Sequence, residues 1–183
     1  MIDTTVAIVL VVALALAAIA LYFFWRRTAL RRRFGPEYER AVEAAGSPMR
    51  AVAELERRAK RVSKYKIHPL SPDDGVRFST AWRQVQSRFV DDPDGAVREA
   101  DRLVTDLMYT RGYPMNEFER QAEDLSVDHP QVVTHYREAH AIAERHSSRG
   151  GVTTEDLRQA VMHYRALFED LLEVGGESRR RPA

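Results

Sequence analysis

The sequence predicts an all-α protein, with a single N-terminal transmembrane helix followed by a small helical bundle. Residues 6–25 form an unbroken apolar run. Beyond residue 66, apolar residues recur every three or four positions, which is the spacing of one helix face. Five prolines follow a capping or turn residue and mark helix starts. No segment alternates polar and β-branched residues as a half-buried strand would.

The apolar run is long enough to cross a membrane. Its residues, at about 1.5 Å of helical rise each, span the roughly 30 Å hydrocarbon core of a bilayer. No Lys or Arg precedes the run, whereas an aromatic residue ends it and five arginines follow. These predicted membrane-contact residues are Trp25, Arg26, Arg27, Arg31, Arg32 and Arg33. Because positive flanks stay cytoplasmic, the N-terminus is expected outside the cell membrane and the rest of the chain in the cytoplasm.

The alternative interpretation of the run is a cleaved signal peptide. Residues 13–15 and 18–20 both read Ala-x-Ala, as cleavage sites do. Cleavage would leave an exported soluble helical protein. A signal peptide has a positive n-region and a shorter apolar core, so the reversed charge bias and the length of the run favour an anchor.

Charge is strongly segregated along the chain, although the formal net charge is only +1. Residues 26–66 contain 13 basic and 5 acidic side chains, a net of +8, whereas residues 67–177 contain 12 basic and 21 acidic ones, a net of −9. We therefore predict an anchor with an Arg-rich flank (1–33), a basic juxtamembrane helical collar (34–66), an acidic helical bundle (67–175) and a basic disordered tail (176–183).

The basic collar predicts a lipid partner. Each basic side chain near an anionic leaflet contributes about 1 kcal/mol of attraction. The cluster Arg57, Arg58, Lys60, Arg61 and Lys64 lies close enough in sequence to the anchor for such headgroups to be its partner. Nucleic acid binding is not expected, because the bilayer already accounts for the positive charge.

The spacing of apolar residues predicts the helices in order. The collar reads as two helices, over 36–45 and 48–63, the second with a narrow apolar stripe under a basic face. Five helices follow, with these apolar faces: Phe78, Trp82, Val85, Phe89; Val97, Ala100, Val104, Leu107, Met108; Phe118, Ala122, Leu125; Val132, Val133, Tyr136, Ala139, Ala143; and Leu157, Val161, Tyr164, Phe168, Leu171.

Local signals set the expected ends of these helices. Helix starts are predicted at Pro36, Pro48, Pro72, Pro93 and Pro130, and the last helix is predicted to begin at Thr153. Stops are predicted at residues 150–151 and 175–176, each a Gly pair. Gly112 is expected at positive φ, in a turn between the second and third helices of the bundle.

Motifs that resemble functional sites have simpler structural interpretations. Residues 91–95 (DDPDG) are acidic enough for Ca²⁺ but lack the ligand spacing and closing Glu of an EF-hand, so helix capping is favoured. Trp82, Tyr136, Tyr164 and Phe168 fall at helical spacings typical of core. The absence of cysteine excludes disulfides, thiolate nucleophiles and Cys-based zinc sites.

Histidines are concentrated near the C-terminal end, in the region from His129 to His163. No metal site, catalytic group or cofactor is predicted, since His135 and His140 are five residues apart and face different directions on a helix. If this region held a metal, the candidate ligands would be His135, Glu138, His140 and His163, with His163 contributed by the last helix. Surface or packing roles are favoured for all four.

Five short strings resemble a family of actinobacterial-type bacterial proteins that have one N-terminal membrane segment and a helical soluble domain. The strings are residues 33–38 (RFGPEY), 88–93 (RFVDDP), 111–114 (RGYP), 128–130 (DHP) and 163–165 (HYR). The family has no assigned function, so the resemblance implies an architecture and no site residue.

Two classes of function are compatible with these patterns. The first, which is favoured, is a membrane-tethered interaction or scaffold module without catalytic activity, whose acidic bundle binds an unknown protein partner. The second is a membrane-bound metal- or ligand-binding protein or enzyme that uses the region from His129 to His163.

Overall fold

The computed structural model describes residues 4–149 and 151–177. Within these ranges the chain forms eight α-helices and no strand, which confirms the predicted all-α class. The helices are α1 (Thr4–Phe34), α2 (Pro36–Ala45), α3 (Pro48–Val62), α4 (Pro72–Arg88), α5 (Pro93–Thr110), α6 (Phe118–Asp128), α7 (Val133–Arg149) and α8 (Thr154–Glu177). Of the basic disordered tail predicted over 176–183, residues 176–177 belong instead to α8, and residues 178–183 lie outside the described residues.

The chain forms two compact units, Met1–Arg57 and Arg58–Ala183, and the division falls within α3. In the first unit, α1 is long and apolar enough to cross a membrane, and none of its apolar window is buried. It is therefore consistent with a single membrane span or a signal sequence. Gly35, at a φ of 51°, connects α1 to α2, and the neighbouring Phe34 and Tyr38 are buried.

The second unit is a helical bundle with α5, α7 and α8 at its centre. Both α5 and α7 pack against α8, and α4 packs against α5. Trp82 of α4 stacks on Phe168 of α8 with ring centroids 4.7 Å apart. The rings of Tyr136 and Tyr164 meet edge to face. All four aromatic residues belong to one buried cluster, as their helical spacing predicted.

Several of the helices begin with a proline, and a capping residue precedes some of these prolines. Helices α2, α3, α4 and α5 start at Pro36, Pro48, Pro72 and Pro93, as predicted. At the start of α5, Asp92 accepts a hydrogen bond of 2.9 Å from the backbone N–H of Gly95. This bond, together with those from Arg88, lowers the pKa of Asp92. The capping interpretation of residues 91–95 is thus confirmed.

Three predicted helix ends were wrong. Helix α7 begins at Val133 rather than Pro130, because the carbonyl of His129 accepts from the N–H groups of Val132 and Val133 and closes a turn first. The last helix begins at Thr154, since Thr153 is its cap and bonds through its hydroxyl to the N–H of Asp156 at 3.2 Å. That helix also continues through both glycines of the predicted stop at 175–176.

Gly112 occupies a turn that other residues fit poorly. Its φ is 94°, as expected from the sequence. A Cβ at this position would overlap the backbone carbonyl oxygen of Lys66, where the segment after α3 passes close to the end of α5. The same approach is held by a 3.0 Å hydrogen bond from the N–H of His68 to the carbonyl of Arg111.

We predict that Gly112→Ala destabilises the bundle by roughly 1–3 kcal/mol, because it adds backbone strain and a clash. Urea unfolding of full-length protein in detergent would measure this, with Trp25→Phe as background so that Trp82 alone reports by fluorescence. Gly75→Ala is the matched control, since nothing lies within 4 Å of its added Cβ on α4. This control should stabilise the bundle by about 0.5–1 kcal/mol. Equal effects of the two substitutions would contradict the prediction.

Candidate functional site

Three of the four candidate metal ligands lie together on the surface of the bundle. His135 and Glu138 are three residues apart on α7, and His163 is on α8, which packs along α7. The Nδ1 atoms of His135 and His163 are 3.0 Å apart. The Oε2 atom of Glu138 lies 3.2 Å from Nδ1 of His163 and 3.7 Å from Nδ1 of His135. We call these three residues the His–Glu cluster.

The His–Glu cluster is partly open to solvent. The side chains of His135, Glu138 and His163 are 42%, 50% and 23% exposed. The two imidazole rings stack with centroids 5.1 Å apart. Which of the two Nδ1 atoms is donor and which acceptor is set by the tautomers of the two rings.

The remaining histidines of the region take other partners. His140, the fourth candidate ligand, lies outside the cluster and stacks on Phe118 with ring centroids 3.5 Å apart. His129 is buried and hydrogen-bonds through Nδ1 to Asp170 of α8. The Nε2 atom of His146 lies 2.9 Å from a carboxylate oxygen of Asp94. These three histidines pack against or contact side chains outside the His–Glu cluster.

The predicted membrane-contact residues lie along the C-terminal third of α1, and several have partners within the first unit. Trp25 is 70% exposed. Arg26 forms an ion pair with Glu56 of α3. The other four are placed as follows: Arg27 donates to the Tyr38 hydroxyl at 3.0 Å, Arg31 pairs with Glu39 at 2.8 Å, Arg32 is exposed, and Arg33 lies over the ring of Phe34.

Two arginines of the predicted basic collar bind carboxylates of the bundle. The Nε atom of Arg61 donates to Oδ1 of Asp124 at 2.7 Å, and the hydroxyl of Tyr65 donates to Oδ2 at 2.7 Å. Arg58 and Arg61 both reach Glu123, at 3.1 and 3.2 Å. Asp124 itself is almost fully buried. These hydrogen bonds and ion pairs connect the C-terminal end of α3, and the segment after it, to α6.

A second buried polar cluster joins the ends of α5 and α6 to α8. Arg111, after α5, donates through Nη1 to the carbonyl of Leu171 at 2.9 Å. The Tyr113 hydroxyl donates to Asp128 at 3.3 Å, and His129 bonds to Asp170. The segments 111–114 (RGYP) and 128–130 (DHP) therefore meet here. Arg111 and His129 are buried, which indicates a packing role.

Sequence reasoning did not identify either buried polar cluster, because it followed apolar residues only. On α6, Gln121, Asp124 and Asp128 recur at three- and four-residue spacing, and the first two are buried. That polar stripe, adjacent to the apolar one, was a usable signal. The partners of Asp124 were not identifiable, since Arg61 and Tyr65 lie about 60 residues earlier in the chain.

Burial keeps the core tyrosines protonated. Desolvation raises the pKa of Tyr113, Tyr136 and Tyr164 well above the ordinary value. Asp101 reinforces the shift of Tyr164, whose hydroxyl donates to it at 2.8 Å. These hydroxyls act as hydrogen-bond donors within the bundle.

Comparison of the chain with protein-family models, curated proteins and solved structures gave no match.

We predict that Asp124→Ala destabilises the bundle by about 2–4 kcal/mol. The substitution removes the acceptor of the Tyr65 hydroxyl and of the Nε atom of Arg61, whereas the remaining bond from Arg61 to Glu123 and its partial solvent access limit the penalty. Urea unfolding followed by Trp82 fluorescence would measure the change.

The matched control is Asp91→Asn, an exposed carboxylate between α4 and α5. It should change the free energy of unfolding by less than about 0.5 kcal/mol. A double substitution, Asp124→Leu with Arg61→Met, should recover part of the loss, because no charge is then left unpaired. The prediction fails if Asp124→Ala is as mild as the control.

Proposed function

We propose that this protein is a membrane-tethered interaction module. In this proposal α1 is a single transmembrane anchor, the N-terminus lies outside, and the helical bundle lies at the cytoplasmic face. The observation that carries the proposal is the long apolar helix α1, whose apolar window has no buried part. A soluble protein of this size has no means of covering such a helix. The five arginines that end α1 support the orientation.

The exposed basic residues after the anchor support contact with anionic headgroups. Arg32 of α1 is exposed, as are Lys60, Lys64 and Lys66. Each would contribute about 1 kcal/mol near an anionic leaflet. Arg58 and Arg61 are engaged with Glu123 and Asp124, so the proposed membrane attraction rests on the exposed cations, which include Arg50, rather than on the whole collar.

The acidic surface of the bundle supports recruitment of a protein with a basic face. Five exposed carboxylates in the described part of the bundle form neither an ion pair nor a side-chain hydrogen bond; they are Asp73, Asp91, Asp106, Glu117 and Glu144. Residues 67–177 carry a net charge of −9, and an excess of one charge sign raises the association rate of a partner of opposite sign. Next to a membrane, the anionic leaflet repels this negative charge. The repulsion favours partner-binding sites on the side of the bundle that faces the cytoplasm.

The absence of native cysteine makes the topology directly testable. A single cysteine at Thr5 should react with a membrane-impermeant maleimide in intact spheroplasts. A single cysteine at Ser79, an exposed position on α4, should react only after lysis. Labelling would be quantified by intact mass. The cysteine-free parent is the control for unspecific reaction.

Two results would contradict the anchor and its orientation. Reaction at Ser79→Cys in intact spheroplasts would place the bundle outside. A mature protein that starts near Leu21 would show that the apolar helix is a cleaved signal peptide, which would make the chain an exported helical protein.

If the bundle recruits a protein partner, that partner should be found next to it in native membranes, and the association should depend on the negative charge of the bundle. Chemical cross-linking followed by quantitative mass spectrometry should recover a reproducible partner. Neutralising the five exposed carboxylates together (Asp73→Asn, Asp91→Asn, Asp106→Asn, Glu117→Gln, Glu144→Gln) should reduce its yield at least about tenfold, because each charge contributes to electrostatic attraction.

The control for this experiment neutralises exposed positive side chains of the same bundle, with Arg83→Gln, Arg102→Gln and Arg120→Gln. It should leave the yield of the partner unchanged or increase it. Equal loss in both variants, or no partner enriched above the cross-linker background, would count against recruitment.

A further inference from the structure

We propose that the His–Glu cluster is a binding site for a divalent first-row transition metal ion, with Zn²⁺ as the reference ion. Its ligands are Nδ1 of His135, Nδ1 of His163 and a carboxylate oxygen of Glu138. The site goes beyond the membrane-tethered function proposed above and stands on independent observations. It would make the bundle a metal-responsive part of the chain.

The separations among the ligand atoms match those around a tetrahedral ion. Metal–ligand distances of about 2.0–2.1 Å require neighbouring ligand atoms to be about 3.3 Å apart. The three separations in the His–Glu cluster are 3.0, 3.2 and 3.7 Å, which bracket that value. All three ligand atoms lie within 4.8 Å of one another, so one ion contacts them together without movement of the backbone.

The identity of the ligands favours a transition metal over Ca²⁺ or Mg²⁺. Two imidazole nitrogens and one carboxylate suit Zn²⁺ and its neighbours, whereas Ca²⁺ and Mg²⁺ take oxygen ligands. The same donor set, two His and one Glu, occurs in zinc sites that keep a fourth position open. Here the exposure of Glu138 and His135 leaves that position facing solvent.

On each of the two helices that supply ligands, the residue directly after the histidine is packed in the core. His135 directly precedes Tyr136, and His163 directly precedes Tyr164; both tyrosines are almost completely buried. Their rings pack edge to face, with centroids 6.4 Å apart. This contact sets α7 and α8 in register, so the ligands converge because of the fold. Glu138 is then placed by its i, i+3 relation to His135.

The test uses tag-free, full-length protein in detergent micelles after removal of metal with a chelator. Titration calorimetry with Zn²⁺ should give one site per chain with a dissociation constant in the micromolar range or below. Co²⁺ should give the intense visible absorption of tetrahedral coordination. His163→Gln and His135→Gln should each weaken Zn²⁺ binding at least about 100-fold, since loss of outer-shell partners alone costs up to that factor.

The matched control is His140→Gln, a histidine of the same helix that stacks on Phe118 outside the cluster. It should bind Zn²⁺ as the parent does. All three substituted positions have partial solvent access, and circular dichroism would verify that each variant keeps its helix content. Mg²⁺ should show no binding at the same concentrations.

The proposal would be overturned by the absence of stoichiometric Zn²⁺ binding, by equal affinity of the His163→Gln and His140→Gln variants, or by Mg²⁺ binding as well as Zn²⁺. None of these results depends on membrane topology or on a protein partner. The metal site and the tethering function therefore fail or survive separately.

Discussion

The burial of Asp124 determines how this chain is organised around α6. A carboxylate removed from water must be paired, and Arg61 and Tyr65 supply both partners from the end of α3 and the residues after it. The part of the chain that composition assigned to a membrane-facing collar thus contributes to the bundle. Asp124 and Glu123 hold Arg61, and Glu123 also holds Arg58, whereas Lys60, Lys64 and Lys66 are exposed. One buried carboxylate therefore contributes both to the stability of the bundle and to the pairing of an arginine of the predicted collar.

Much of the fold could be predicted because it depends on local signals. The apolar run of α1, the four proline starts and the positive φ of Gly112 each depend on a few adjacent residues. The start of α7 was wrong for a related reason. Pro130 fits a first helical turn, but the carbonyl of His129 accepts from the N–H groups of Val132 and Val133, so a separate turn precedes the helix. A local preference was overridden by a competing local bond.

Sequence reasoning could predict only part of the candidate site. From the sequence, His135 and Glu138 are two of four candidate ligands, and His163 is the ligand that the last helix would have to contribute. Whether α7 and α8 pack in the register that joins them depends on the Tyr136–Tyr164 contact, which no local pattern encodes. His140 is close in sequence to His135 and Glu138 but lies outside the cluster. Nothing in the sequence indicated that its ring would stack on Phe118. Long-range pairs such as Arg61 with Asp124 were inaccessible for the same reason.

The buried tyrosines set an alkaline limit for the bundle. Tyr113, Tyr136 and Tyr164 all have a pKa raised by desolvation, so their phenols remain protonated while the helices stay packed. Once unfolded, each phenol releases its proton near pH 10. Because the folded state holds these protons more tightly, stability is fully present below about pH 10 and declines as the pH rises above it. Base therefore acts on this domain through three phenols in its interior, and ionising them requires the helices to separate.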